Sequence, residues 1–151
     1  MQNKKIYIAS DHAGYRLKKR LIRFITNELK LELVDLGPEK YNKDDDYPDY
    51  AVKVCQKILK EKTRGILICG TGIGMCITAN KIKGIRAALV TNIKMAEAAA
   101  KHNNANCLCL GGKILSEDFA MAIIKTWLKT EYKKETRHER RLKKIEAQEK
   151  K

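Results

Sequence analysis

Long apolar runs are missing from this 151-residue chain. No stretch approaches the roughly 18 residues that a membrane-spanning helix needs, which excludes such a span. The opening "MQNKKIYIAS" has two lysines, but its apolar part is short and no cleavage pattern follows. No secretory leader is expected, and the protein is expected in the cytoplasm. The five cysteines, Cys55, Cys69, Cys76, Cys107 and Cys109, include no CxxC pair and no zinc spacing. Free thiols are the default without a secretion signal, and four of the five are expected to be small buried side chains. Aromatics make up only 6% of the chain. No RNP motif, KH loop or zinc finger appears, which argues against an RNA- or DNA-binding module. Repeats and linkers are also lacking. The 44% of hydrophobic residues suffice for one domain with a real core over 1–151.

Positive charge is present in excess. The net charge is +14, and residues 133–151 hold nine Lys/Arg against four Glu. This favours an anionic partner, whether a phosphorylated metabolite, nucleic acid or membrane. Lysine-rich faces are usually only solvated, so charge alone decides little.

The periodicity alternates. "KIYIAS" (5–10) reads as a first strand, and Leu17, Leu21, Ile22, Ile25 and Leu29 recur at helical spacing after "DHAG". "LELVDLG" (31–37) is a second strand. A polar loop, "KYNKDDDYPDY" (40–50), leads to a helix over 49–61 with Val52, Cys55, Ile58 and Leu59 as its apolar stripe. "GILIC" (65–69), "IRAALVT" (85–91) and "ANCLCLGG" (105–112) are the later strands. Helices follow them to about Lys83, over 93–102, and through about Trp127 to Tyr132. The tail is charged and helix-prone. Strands alternating with helices predict an α/β domain around a parallel sheet. Such sheets bind ligands at the strands' carboxyl ends. Three segments are expected there: "SDHAG", "CGTGIG", and "KHNNAN" just before the fifth strand.

Gly70, Gly72 and Gly74 give GxGxG after the third strand. A dinucleotide fingerprint needs GxGxxG on the first strand, but position 75 is Met, and the Gly-Lys-Ser/Thr end of a Walker loop is absent. The glycines can still aim backbone N–H groups at an anion beside a helix N-terminus. A thiol at the edge of such a loop, Cys69, has its thiolate stabilised and can act as nucleophile or base. Alone, Cys69 is more simply a small residue ending a buried strand, and His12 or His102 a polar surface residue. Thr71 can be a helix N-cap or orient the thiol or a substrate hydroxyl. Cys69, His12, His102, Asp11 and a ring of amides at one sheet edge are harder to dismiss.

"SDHAGYRLK", "DYPDYA", "GILICGTGIGMCITANKIKGIRAALV", "KHNNANCLCLGGK" and the RHxxR of "RHERR" together resemble the ribose-5-phosphate isomerase B family, which includes the galactose-6-phosphate isomerase subunits. The resemblance covers essentially the whole chain. It implies a Rossmann-like three-layer α/β/α sandwich with a five-stranded parallel sheet and an extended basic C-terminal helix. It also implies interconversion of ribose 5-phosphate and ribulose 5-phosphate without metal or cofactor. The sites would be shared in a homodimer, with pairing into a tetramer left open. The family's base falls on Cys69 and its ring-opening histidine on His102. Sugar contacts fall on Asp11, Gly70, Thr71, Gly72, Ile73, Gly74 and Asn103. The phosphate end falls on His12, Arg137 and Arg141, the arginines coming from the partner's tail. Lys113 stands where some members are expected to have arginine, and it lacks the bidentate fork. Some branches use a loop glutamate in place of the cysteine; here Met75 is no substitute. A galactose- or allose-6-phosphate isomerase is the alternative.

Overall fold

Three apolar runs make the middle of the sheet. Ile6–Ser10 (β1), Gly65–Cys69 (β3) and Cys107–Gly111 (β5) are buried along their whole lengths. The edges are three residues each, Leu33–Asp35 (β2) and Ala87–Leu89 (β4). The order is β2-β1-β3-β5-β4, with every pairing parallel. The computed structural model describes residues 5–150. Met1–Lys4, part of the stretch weighed as a leader, and Lys151, the end of the predicted tail, lie outside the described residues.

Alternation along the strands feeds two helical layers. Ile6, Ile8, Ile66, Ile68, Leu108 and Leu110 face one core. It is closed by Tyr15–Arg23 (α1), by Ala96, Ala99 and Ala100 of Ile93–Lys101 (α4), and by Ile123, Ile124 and Trp127 of Glu117–Lys129 (α5). Tyr7, Ala9, Leu67, Cys69, Cys107 and Cys109 face the other, under Tyr47–Glu61 (α2) and Ile73–Asn80 (α3). The expected Rossmann-like three-layer sandwich with five parallel strands is present. Thr136–Glu146 (α6) follows α5 and buries only His138 and Leu142.

Several boundaries differ from expectation. The stripe predicted for α2 is out of phase. Val52 and Leu59 are 38% and 39% exposed, while Ala51, Val54, Cys55 and Ile58 are buried. Those four share one helical face, and small Ala51 was the member without an obvious hydrophobic signal. The helix after α1 continues as a π-helical turn over Phe24–Glu28. α3 stops at Asn80 because the Asn80 side chain turns to β4, donating to the Ala87 carbonyl and accepting the Ala87 N–H, both at 2.9 Å. Beneath the β1 loop, the fully buried Lys18 ammonium donates to both oxygens of Asp35 (2.9 and 3.0 Å) and to the Pro38 carbonyl at 2.6 Å.

Strand order places the crevice. The chain leaves β1 for β2 on one side and returns as β3 on the other, so the connections after β1 and β3 part company at this switch point.

Candidate active site

β1 and β3 end side by side, and the Asp11 N–H donates to the Ile68 carbonyl at 3.2 Å. The turn after β5 joins them. Gly112 N–H donates to the Cys69 carbonyl at 2.7 Å, and Lys113 N–H to the Gly70 carbonyl at 2.9 Å. Only glycine fits at position 72. Its φ is +81°, and a Cβ there would lie 2.6 Å from Leu89 and 2.9 Å from the Leu110 carbonyl carbon. Gly74 is packed against the Tyr47 ring, which brings the start of α2 to the loop.

The Cys69 thiol is 4% exposed, and its Sγ accepts the Gly72 N–H at 3.2 Å. Thr71 is exposed, and its Oγ1 accepts the Ile73 N–H at 3.3 Å; Gly72 precedes the first helical residue. Ile73 is 51% exposed at the start of α3. Asp11 is buried and accepts the Gly14 N–H at 3.1 Å. Burial holds its carboxyl above the usual carboxylate range, with the Gly14 bond opposing. His12 Nδ1 lies 2.7 Å from Asp45 Oδ1. Lys113 is exposed, its stem beside Gly70. Asp11, His12 and Asp45 bring three polar atoms within 4.8 Å of one another. The imidazole–carboxylate bond already joins two of them, and we assign them no metal.

His102 and Asn103 are elsewhere. They follow α4 and precede β5, whose register sets Cys107 beside Gly65 and Gly111 beside Cys69. They therefore lie off the amino edge of the sheet, with Cys69 four strand residues away, about 13 Å along the strand. The expectation that "KHNNAN" shares the Cys69 edge is corrected. A segment that precedes a parallel strand reaches its amino end, whatever residues it carries.

The amino edge has its own cluster. The His102 and His138 rings stack at 4.6 Å, and Lys133 N–H donates to the Lys101 carbonyl at 3.0 Å. Arg137 and Arg141 stand exposed on α6, four apart and so on one face. Glu135 binds Lys133 at 2.7 Å and Arg137 at 3.0 Å. Lys133 first, then Arg137, hold its carboxyl down at about 2. One chain thus carries two separate groups of the expected site residues, at opposite edges of the sheet. The carboxyl edge has Cys69, the Gly70–Gly74 amides, Asp11 and His12. The amino edge has His102, Asn103, Arg137 and Arg141.

Two residues were missed by sequence reasoning. His138 carried a signal, a histidine inside a charged helix at the buried phase. Asp45 carried none, because the middle of "DDD" looks like any solvated acid.

These features define a Rossmann-like α/β domain with a glycine-rich loop of backbone amides and a thiol at its switch point. The family model described as Ribose/Galactose Isomerase matches residues 6–145, and the chain belongs to that family. It is 44% identical over 142 residues to the probable ribose-5-phosphate isomerase B of Mycoplasma genitalium, covering 93% of this chain and 92% of that one. Among solved structures it resembles ribose-5-phosphate isomerase B of Clostridium thermocellum, with a TM-score of 0.92 and 44% identity over 97% of this chain and 98% of that one. The M. genitalium enzyme with bound ribulose 5-phosphate gives a TM-score of 0.91 and 44% identity over 97% of each.

Proposed function

We propose that this chain is an aldose–ketose isomerase that interconverts ribose 5-phosphate and ribulose 5-phosphate. The observation that carries the reading is the Gly72 N–H to Cys69 Sγ bond of 3.2 Å. It sets the Cys69 sulfur against the backbone amides of the glycine loop, beside a switch-point crevice. The M. genitalium relative holding ribulose 5-phosphate supports the substrate class.

The chemistry follows from the groups. His102 moves the proton that opens the furanose. The Cys69 thiolate removes the C2 proton of the open aldose and returns it to C1. The charge on the enediolate oxygen falls to the Gly70–Gly74 amides, where one lost donor typically costs roughly 2.7–4 kcal/mol. Asp11, Thr71 and Asn103 meet sugar hydroxyls. His12, Lys113, Arg137 and Arg141 take the phosphate. Every step is proton transfer, so neither metal nor cofactor is required.

His102, Asn103, Arg137 and Arg141 cannot reach Cys69 of their own chain without crossing the sheet. A second copy, set edge to edge by a two-fold axis, supplies them, and each site of the homodimer is then composite. Ile73 and Ile77, 51% and 58% exposed on α3 beside the loop, offer apolar surface for that contact.

The test is turnover of ribose 5-phosphate, allose 6-phosphate and galactose 6-phosphate with EDTA present. Ribose 5-phosphate should be preferred. Turnover of a hexose phosphate alone, or abolition by EDTA, overturns the reading.

A further inference from the structure

Three aspartates stand in a row before α2, and only the middle one turns inward. Asp44 and Asp46 are exposed, but the Asp45 side chain is 5% exposed. Its Oδ1 accepts twice from one residue: the His12 backbone N–H at 3.0 Å and the His12 Nδ1 at 2.7 Å. Its Oδ2 is buried and makes no close hydrogen bond, although Tyr50 of α2 interacts with the carboxylate. Burying a carboxylate is costly unless it is paired. A loop that needed only a surface connector would leave Asp45 in water, as it does its neighbours.

We propose that Asp45 is a positioning residue for the phosphate end of the substrate, fixing the orientation and proton placement of His12. The inference rests on the sugar-phosphate reading of the site. A carboxylate can only accept, so Nδ1 carries the proton in this pair. The second bond, to the backbone N–H, fixes where the ring begins. Nε2 is left as the nitrogen free for a ligand, and the imidazole is 33% exposed. An imidazole that donates from Nδ1 to Asp45 and from Nε2 to an anion bridges the two, so the Asp45 bond aims the Nε2 side of the ring at the phosphate end. At metal sites, losing the carboxylate behind a ligand histidine typically costs ~10–100-fold in affinity, and the same orienting role applies to an anion.

Other charges act on the pair. Asp11 precedes His12 and interacts with both members. Tyr41 sets its ring edge-on to His12 at 6.2 Å. Tyr50 of α2 is held above the usual tyrosine range by burial and then by Asp45. Lys18 of α1 feels the Asp45 charge, and Lys113 lies beside the neighbouring Ala13 through Gly70. Asp45→Asn leaves each of these side chains present, keeps an acceptor oxygen and removes only the Asp45 charge that they feel.

The experiment measures competitive inhibition of ribose 5-phosphate turnover by inorganic sulfate between pH 6 and 9, where sulfate does not titrate. In Asp45→Asn, sulfate inhibition at pH 8 should be about tenfold weaker, the low end of what losing the group that orients a ligand histidine typically costs. The KM should rise in parallel with kcat within about twofold. In a His12→Asn background, Asp45→Asn should add nothing. An unchanged sulfate profile in a folded Asp45→Asn protein overturns the proposal. So does a loss confined to melting temperature, or a full effect of Asp45→Asn without His12. If the wild type turns over no sugar phosphate, the function reading fails instead. Calorimetric sulfate binding to wild type and Asp45→Asn then still decides the role of Asp45.

Discussion

The His102 ring stacks on the His138 ring, centroids 4.6 Å apart and planes 13° from parallel. One residue ends α4 and the other sits in the first turns of α6. With the Lys133 to Lys101 backbone bond, the stack ties the ring-opening candidate and both arginines into one unit at the amino edge. The composite-site reading requires that unit to act on the partner's thiol. Mixing Cys69→Ala chains with Arg137→Ala/Arg141→Ala chains, each inactive alone, should restore activity. The heterodimer has one site with both defects and one with neither. Subunit exchange without recovered turnover shows that the arginines serve their own chain or no site at all.

Cys69 can be tested by removal. Cys69→Ala should lower kcat by ~10²–10⁴-fold, the usual contribution of a general base. Sugar-phosphate binding, read by calorimetry, should persist, because the loop amides are backbone and stay in place. Turnover close to wild type removes Cys69 from the mechanism.

Alkylation will be less clean than a single reactive thiol would make it. Cys76 is partly exposed on α3. A hydrogen bond from the Cys109 thiol, helped by the Leu89 N–H and Asn80, lowers its pKa to about 7 from 9.0, against the effect of burial. A lowered thiol pKa means that thiolate accumulates as pH rises through about 7. Iodoacetamide labelling of Cys76 should therefore climb between pH 6 and 8, and substrate should leave it unprotected while shielding Cys69. A flat Cys76 profile across that range contradicts the assignment. Cys76 also corrects the expectation that four of the cysteines are plain buried residues. The other three, Cys55, Cys107 and Cys109, are buried.

What the sequence made legible were features written in consecutive residues. "GILIC" is apolar at every position and became a strand buried on both faces. The glycines after it could be read as an amide ring because φ of +81° at Gly72 demands that residue type. Relations across the sheet were not legible. Strand order decides which loops meet, and no local pattern encodes β2-β1-β3-β5-β4. His102 was assigned to the wrong edge for that reason, although its residue type was informative. Asp45 was missed because a carboxylate's value depends on what it faces, here a histidine 33 residues away.

Lys18 should matter to stability, with no contact to the chemistry. Burial lowers its pKa, and the Asp35 bond opposes. Lys18→Ala leaves a partly buried carboxylate without its cation and should cost about 3 kcal/mol in urea unfolding. Lys18→Met/Asp35→Asn removes both charges and should recover part of that. A Lys18→Ala protein as stable as wild type means that Asp35 finds water at no cost.

The last prediction separates ring opening from proton transfer. Ribulose 5-phosphate cannot close a furanose, because its carbonyl is at C2 and its C5 oxygen carries the phosphate. Forming the enediolate from it needs the base and the amides but no ring-opening group. In His102→Asn, exchange of solvent deuterium into ribulose 5-phosphate at C1 should continue near the wild-type rate. Turnover of cyclic ribose 5-phosphate should fall by ~10²-fold or more, the scale of one lost acid–base group. His102 also stacks on His138, so the melting temperature must be followed alongside, and a folded variant is the precondition. Cys69→Ala should show the opposite pattern, losing exchange as well as turnover. If His102→Asn loses exchange as fully as Cys69→Ala, the imidazole takes part in the proton transfer itself and ring opening belongs to another group.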